Sequence, residues 1–113
     1  MSTSLPSSGK LDVGDVGLDM SDLPSLDHGP VDLPGWFGDA RRDLPLELEI
    51  GSGKGTFLVQ QAEAAPNVNY IGIEYARAFW RYAADRCRRR GLSNIRLVHA
   101  EAGLALRLQH ADN

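Results

Sequence analysis

With 113 residues, 42% of them hydrophobic and 24% charged, the chain has the composition of one globular domain near the small end of the range that supports its own core. Its single cysteine, Cys87, excludes an internal disulfide framework or a cysteine-pair metal site, and no run approaches the roughly 18 apolar residues of a membrane span. The net charge of -3 is unevenly spread: residues 1–45 carry eight aspartates against Lys10, Arg41 and Arg42, a balance of -5, whereas residues 46–113 balance to +2.

Residues 1–30 are rich in Ser, Gly, Pro and Asp, show neither helical nor strand periodicity, and are expected to form a disordered acidic segment. The start, MSTSLPSSGK, has no apolar stretch behind a basic one, so no secretory signal is read, and a cytoplasmic, reducing location fits. LDVGDVGLDMSD has a loose D-x-D spacing but lacks the glutamate that closes a calcium loop, which favours a solvated linker. Residues 31–45 read as a lead-in whose Trp36 and Phe37 need burial and are expected to pack on the edge of the domain.

From Leu46 the pattern becomes regular. LELEI (46–50) alternates as a short strand, and GSGKG breaks it. Thr56 to Ala65 suits a helix closed by Pro66-Asn67, and Asn69 to Glu74 (NYIGIE) a second strand rich in β-branched and aromatic residues. Between Ala76 and Arg90, the residues Ala76, Phe79, Trp80, Ala83, Ala84 and Cys87 share one helical face, with Gly91 as the stop. Asn94 to His99 (NIRLVH) reads as a third strand, and Ala102 to Gln109 starts a third helix. This β-α-β-α-β-α order predicts an α/β fold with a parallel sheet and right-handed crossovers.

The glycines after the first of these strands carry the chemistry. A phosphate loop needs G-x-x-x-x-G-K-[ST], yet aligning Gly53-Lys54 on its end puts Leu48 at the first glycine and Gly55 at the hydroxyl position. Glu49 would also face a polyanion, which disfavours ATP and a phosphotransferase. A dinucleotide fingerprint would put its third glycine at Thr56. What stands here is E-x-G-x-G-x-G: Glu49, Gly51, Gly53 and Gly55. Such a turn keeps side chains off its backbone, and a carboxylate beside it suits a cationic, phosphate-free ligand such as S-adenosylmethionine. Glu74 closes the second strand 23 residues after Gly51, close to the roughly 20-residue spacing of a ribose-binding acid.

Residues from about Leu44 to Leu108 resemble the N-terminal half of the bacterial tRNA (guanine-N7)-methyltransferases, through LELEIGSGKGTFL, NYIGIE and GLSNIRLVHAEA. The resemblance implies a Rossmann-like class I methyltransferase fold, truncated after about three β-α units, with residues 46–113 as its S-adenosylmethionine-binding half. It implies tRNA as substrate and Glu49, Gly51, Gly53, Gly55 and Glu74 as cofactor contacts. Ala100 and Glu101 would lie near the adenine, where glutamate replaces the family's usual Asp or Asn. The family's later Phe-Pro-Asp-Pro-Trp-like motif, whose aspartate is assigned to catalysis, has no match here. The catalytic residues are therefore expected beyond Asn113, and the chain is expected to be a fragment with no methyl transfer alone. A non-catalytic nucleotide- or partner-binding module on the same fold is the alternative reading.

Arg77, Arg81, Arg86, Arg88, Arg89 and Arg90 read either as a contact for tRNA backbone or as a solvated helix end that balances the macrodipole. Cys87, on the apolar face, reads as core rather than nucleophile. Lys54 is expected to face solvent. His99 and His110 have no partners at metal spacing and receive no role.

Overall fold

Isoleucines, a tyrosine and a lone glycine make Asn69–Glu74 an interior strand, and every one of its residues is buried in the computed structural model, which describes residues 10–22, 31–101 and 103. Around it lie β1 (Gly17–Asp19), β2 (Leu46–Ile50) and β4 (Ile95–His99), Asn69–Glu74 itself being β3. The sheet order is β1-β4-β3-β2, and every pairing is parallel. Helix α1 (Thr56–Ala64) joins β2 to β3, and α2 (Arg77–Arg89) joins β3 to β4. The expected parallel α/β sheet is present, and β2 stands at one end of it with β3 as its single partner among the described residues. The third helix expected from Ala102 to Gln109 lies outside the described residues, apart from the isolated position Gly103. So does Asn113, the position beyond which the catalytic residues are expected, and the described residues do not bear on that expectation.

The alternation of each strand divides the core in two. Tyr70, Ile95 and Leu97 face the helices and meet Leu58, Val59 and Ala62 of α1 and Trp80, Ala83, Ala84 and Cys87 of α2. Burying one such leucine or isoleucine contributes about 1.5–3 kcal/mol. Trp80, Ala83, Ala84 and Cys87 recur at three- and four-residue spacing, so one stripe of α2 is dry. The helix ends on Gly91, at φ 67°: its N–H donates to the Arg88 carbonyl, and the Leu92 N–H to that of Cys87. This pair of bonds needs a left-handed residue after the cap, and it turns Leu92 back onto the core.

Ile71, Ile73 and Val98 face the other way, where Leu33 and Phe37 cover them and Trp36, Leu46 and Leu48 pack at the margin. The lead-in therefore lies across a face of the sheet rather than at its edge. The reason is area, since a strand edge offers backbone polar groups and the face offers the apolar surface those rings require. Arg41 fastens the segment: its Nε donates to Asn69 Oδ1 at 2.9 Å, and Asn69 Nδ2 returns a bond to the Arg41 carbonyl at 2.8 Å.

The reading of residues 1–30 as disordered fails for residues 10–22. Gly17, Leu18 and Asp19 pair with Leu97, Val98 and His99, and the Leu97 N–H donates to the Val16 carbonyl at 2.7 Å. Val16 is buried among the α2 residues, and Val13 packs beside it. Gly17 is required by closeness: a Cβ there would lie 2.5 Å from that of Val13 and 3.1 Å from that of Ala84. A free edge on β4 supplied the partners that the local composition did not advertise. Residues 1–9 and 23–30 lie outside the described residues.

Candidate functional site

The turn between β2 and α1 runs through three glycines with positive φ, Gly51 at 76°, Gly53 at 59° and Gly55 at 79°. The Gly51 N–H donates to the Ile73 carbonyl at 2.8 Å, so the turn leans on β3 from its first residue. A Cβ on Gly51 or Gly53 would meet nothing within 4 Å, which leaves this side of the turn open. Gly55 differs. There a Cβ would stand 2.9 Å from that of Ala83, so the missing side chain lets the start of α1 press against α2.

Glu74 is 4% exposed, at the end of β3. Its Oε1 accepts the Gly53 N–H at 2.6 Å and its Oε2 the Ala76 N–H at 2.9 Å. One carboxylate thus joins the glycine turn to the turn that starts α2. Each oxygen keeps a second lone pair. The Ala100 N–H donates to the Glu74 backbone carbonyl at 3.1 Å, which brings the end of β4 into the same group.

Glu49 stands on β2 opposite Gly72, half-buried, two residues before Gly51. No residue among those described donates a hydrogen bond to it or pairs with its charge. Its carboxylate thus stands beside an open backbone turn without a counter-ion among the described residues. Ser52 Oγ, in the same turn, is buried without a partner among the described residues. A phosphate suits the site poorly, since the Gly53 amide that would hold it is already bonded to a carboxylate. The structure therefore brings Gly51, Gly53, Glu74 and Ala100 together with Glu49 close in the chain. Gly55 it turns toward α2, and Glu101 is exposed beyond the end of β4.

A second cluster, at the same end of the strands, has no counterpart in the sequence reading. His99 lies between Asp19, with 3.5 Å from Nδ1 to Oδ2, and the Tyr75 carbonyl, 3.2 Å from Nε2. Its ring stacks on Trp80 with centroids 5.2 Å apart, and Trp80 Nε1 donates to the Leu97 carbonyl at 2.8 Å. Arg77 binds Asp19 at 2.8 Å and lies over the Trp80 ring. Burial raises the Asp19 carboxyl, but the Ser21 N–H and the Arg77 guanidinium outweigh it and hold it below its ordinary value. No spacing rule links these residues, which lie on three elements. The signal that could find them is the parallel register, which sets Asp19, Glu74 and His99 in one row.

Most of the arginines of α2 and its C-terminal cap are already engaged. Arg88 and Arg89 pair with Asp85 at 3.0 and 2.8 Å, Arg90 with Glu63 at 2.8 Å, and Arg77 with Asp19. The solvated-helix-end reading accounts for these four better than a nucleic-acid contact does. Cys87 is fully buried, as expected of a core residue. Lys54 is exposed, but its ammonium lies over the rings of Phe79 and Tyr82, at 5.7 and 5.8 Å from their centres. Among the described residues no group of His, Cys, Asp and Glu is arranged to hold a metal ion, and no helix is long and apolar enough to cross a membrane.

Residues 43–111 match the family model described as "Putative methyltransferase". Among curated proteins, the chain is 38% identical over 84 residues to a tRNA (guanine-N(7)-)-methyltransferase of Rhodopirellula baltica, covering 72% of this chain and 31% of that protein. It is 42% identical over 76 residues to the protein of the same name from Listeria monocytogenes, covering 66% and 36%. Among solved structures, it is similar to a SAM-dependent methyltransferase from Geobacter sulfurreducens in complex with S-adenosyl-L-homocysteine, at 24% identity and a TM-score of 0.47, over 74% of this chain and 39% of that one. The chain spans about a third of the length of the curated relatives it matches.

Proposed function

The chain belongs to this methyltransferase family, and we propose on that premise that it is the S-adenosylmethionine-binding part of an enzyme that forms N7-methylguanosine in tRNA. The names of its relatives support the reaction and the substrate. The observation that carries the cofactor is the Glu49 carboxylate, unpaired among the described residues, beside a glycine turn whose Gly53 amide is bonded to a second acid, Glu74. S-adenosylmethionine is a cation without phosphate, and it brings a methyl group activated on a sulfonium. Glu49 would neutralise its ammonium, Gly51 and Gly53 would let it lie against backbone, and the free lone pairs of Glu74 would take the ribose hydroxyls. Ala100 and Glu101 would flank the adenine. These residues hold and orient the methyl donor; guanine N7 has its own lone pair, so positioning rather than a base is what the reaction asks of them.

Calorimetry with S-adenosylhomocysteine tests the reading. Binding that falls at least about tenfold in Glu49→Ala, as expected for a lost ion pair in a half-buried site, supports it. Binding of Mg-ATP that disappears in Lys54→Ala would overturn it in favour of a phosphate loop.

A further inference from the structure

Helix α2 exposes two aromatic rings three residues apart, Phe79 at 43% and Tyr82 at 41%. Residues at that spacing share a helix face, so the two rings form one ridge. Lys54, from the glycine turn, sits against both. One turn beyond Tyr82 comes Arg86, whose hydrogen-bond partner is the neutral hydroxyl of Thr56, at 3.1 Å. Lys54 and Arg86 thus keep charges that no carboxylate offsets among the described residues, in contrast to Arg77, Arg88, Arg89 and Arg90. The single acid of α2, Asp85, is buried and already paired. The ridge therefore carries one cation, Lys54, over its two rings and a second, Arg86, one turn beyond Tyr82.

We propose that this ridge, Phe79 and Tyr82 with Lys54 over them and Arg86 one turn beyond, is a stacking surface for unpaired bases of the RNA substrate. The choice of RNA rests on the function proposed above. The preference for unpaired bases follows from the surface itself. A flat exposed ring offers a face to any base lifted from its stack, and a duplex keeps those faces covered. The two cations suit the phosphates that adjoin a stacked base, and the ammonium adds cation–π attraction. A protein partner would instead be expected to meet a wider apolar patch with its charges at the rim. The ridge also borders the glycine turn through Lys54, so a strand laid along it passes beside the methyl donor's site.

The test uses fluorescence anisotropy on the full chain with a labelled single-stranded RNA of about ten nucleotides, and with the same strand annealed to its complement. The single strand is expected to bind more tightly than the duplex. Phe79→Ala and Tyr82→Ala are each expected to weaken it about tenfold, the scale of one lost base stack. Phe79→Tyr and Tyr82→Phe keep the rings and are expected to retain binding. Lys54→Gln is expected to reduce the slope of binding against salt by about one unit. Equal affinity for duplex and single strand, or unchanged binding in both alanine variants, would overturn the proposal. So would a dimer, seen by sedimentation, that Phe79→Ala dissolves, because the ridge would then belong to a second copy. S-adenosylhomocysteine is titrated into the same Phe79 and Tyr82 variants. If it binds them as it binds the parent while RNA binding is indifferent to the rings, the ridge proposal alone fails. If it does not bind even the parent, the cofactor reading fails on its own evidence.

Discussion

The Glu74 carboxylate accepts the backbone N–H of Gly53 at 2.6 Å, fixing the middle of the glycine turn to the end of the neighbouring strand. Its second oxygen holds the Ala76 N–H, so removing the side chain frees two amides at once. Hydrogen bonds to a charged acceptor are worth roughly 1.5–3 kcal/mol each, and water can reach both half-buried amides, so Glu74→Ala is expected to cost about 2 kcal/mol in urea unfolding. Glu74→Gln keeps an acceptor for one amide and should lose less. An unchanged midpoint for the alanine variant would show that the carboxylate does not organise the turn.

The three turn glycines should separate by what they support. Gly55→Ala puts a methyl 2.9 Å from that of Ala83 and also holds an L-residue at positive φ. Overpacking and left-handed strain together predict about 2–4 kcal/mol of destabilisation. Gly53→Ala meets open space and carries only the strain, about 1 kcal/mol. Its methyl occupies the side proposed for the cofactor, so S-adenosylhomocysteine affinity should fall more than stability does. The reverse ranking, with Gly55→Ala mild and Gly53→Ala unfolding, would contradict the packing described.

Asp85 predicts an acid limit. Burial raises its carboxyl, but Arg88, the Asp12 N–H and Arg89 together bring it below the ordinary value of 3.8. A carboxyl depressed in the folded state stabilises above its unfolded value, and that contribution disappears as pH falls from about 4 downward through the folded one. Asp85→Asn should flatten this part of the stability profile and cost about 1–3 kcal/mol near neutrality, since exposed parts of both arginines can return to water. The check is the urea midpoint of both proteins between neutral pH and the acid limb.

Cys87 predicts the opposite limb. Burial pushes its thiol up to about 12, with Arg86 and Arg90 pulling the other way. A thiol whose folded value is raised stabilises fully below its unfolded value of 9.0, and the contribution is lost as pH rises from there toward 12. Folded protein should react with a thiol reagent only at the rate of opening, and denatured protein at once. Rapid native labelling at neutral pH would mean that α2 does not cover this residue.

Where local pattern and tertiary contact agree, the sequence was enough. LELEI and NYIGIE are strands at the positions the alternation and β-branching indicate. Helix α2 follows its spacing to within a residue at each end, with Trp80, Ala83, Ala84 and Cys87 buried but Phe79, expected on the same face, exposed. The glycine turn was legible because its letters are nearly consecutive, and Glu74 because it closes NYIGIE at a set distance from that turn. Strand β1 was not. Its three residues, Gly-Leu-Asp, have no strand preference of their own and take that form from the edge of β4. His99 escaped for the same reason, since Asp19 and Trp80 reach it only once the sheet exists. Phe37 was seen to need cover, but a pattern cannot say whether a face or an edge supplies it.

The pairing of Gly17 with Leu97 also orders the birth of the sheet. These residues are the ends of a loop of about eighty residues, whose closure costs on the order of 4 kcal/mol of chain entropy. On a ribosome β1 emerges before β2, β3 and β4, and its partner β4 is the last of these described strands to appear. Until then Val13 and Val16 have no pocket, because α2 and β4 together form it. The strand made first is consequently among the last to find its place. Through that interval the growing chain carries it unpaired, open to proteases and to the free edges of neighbouring chains.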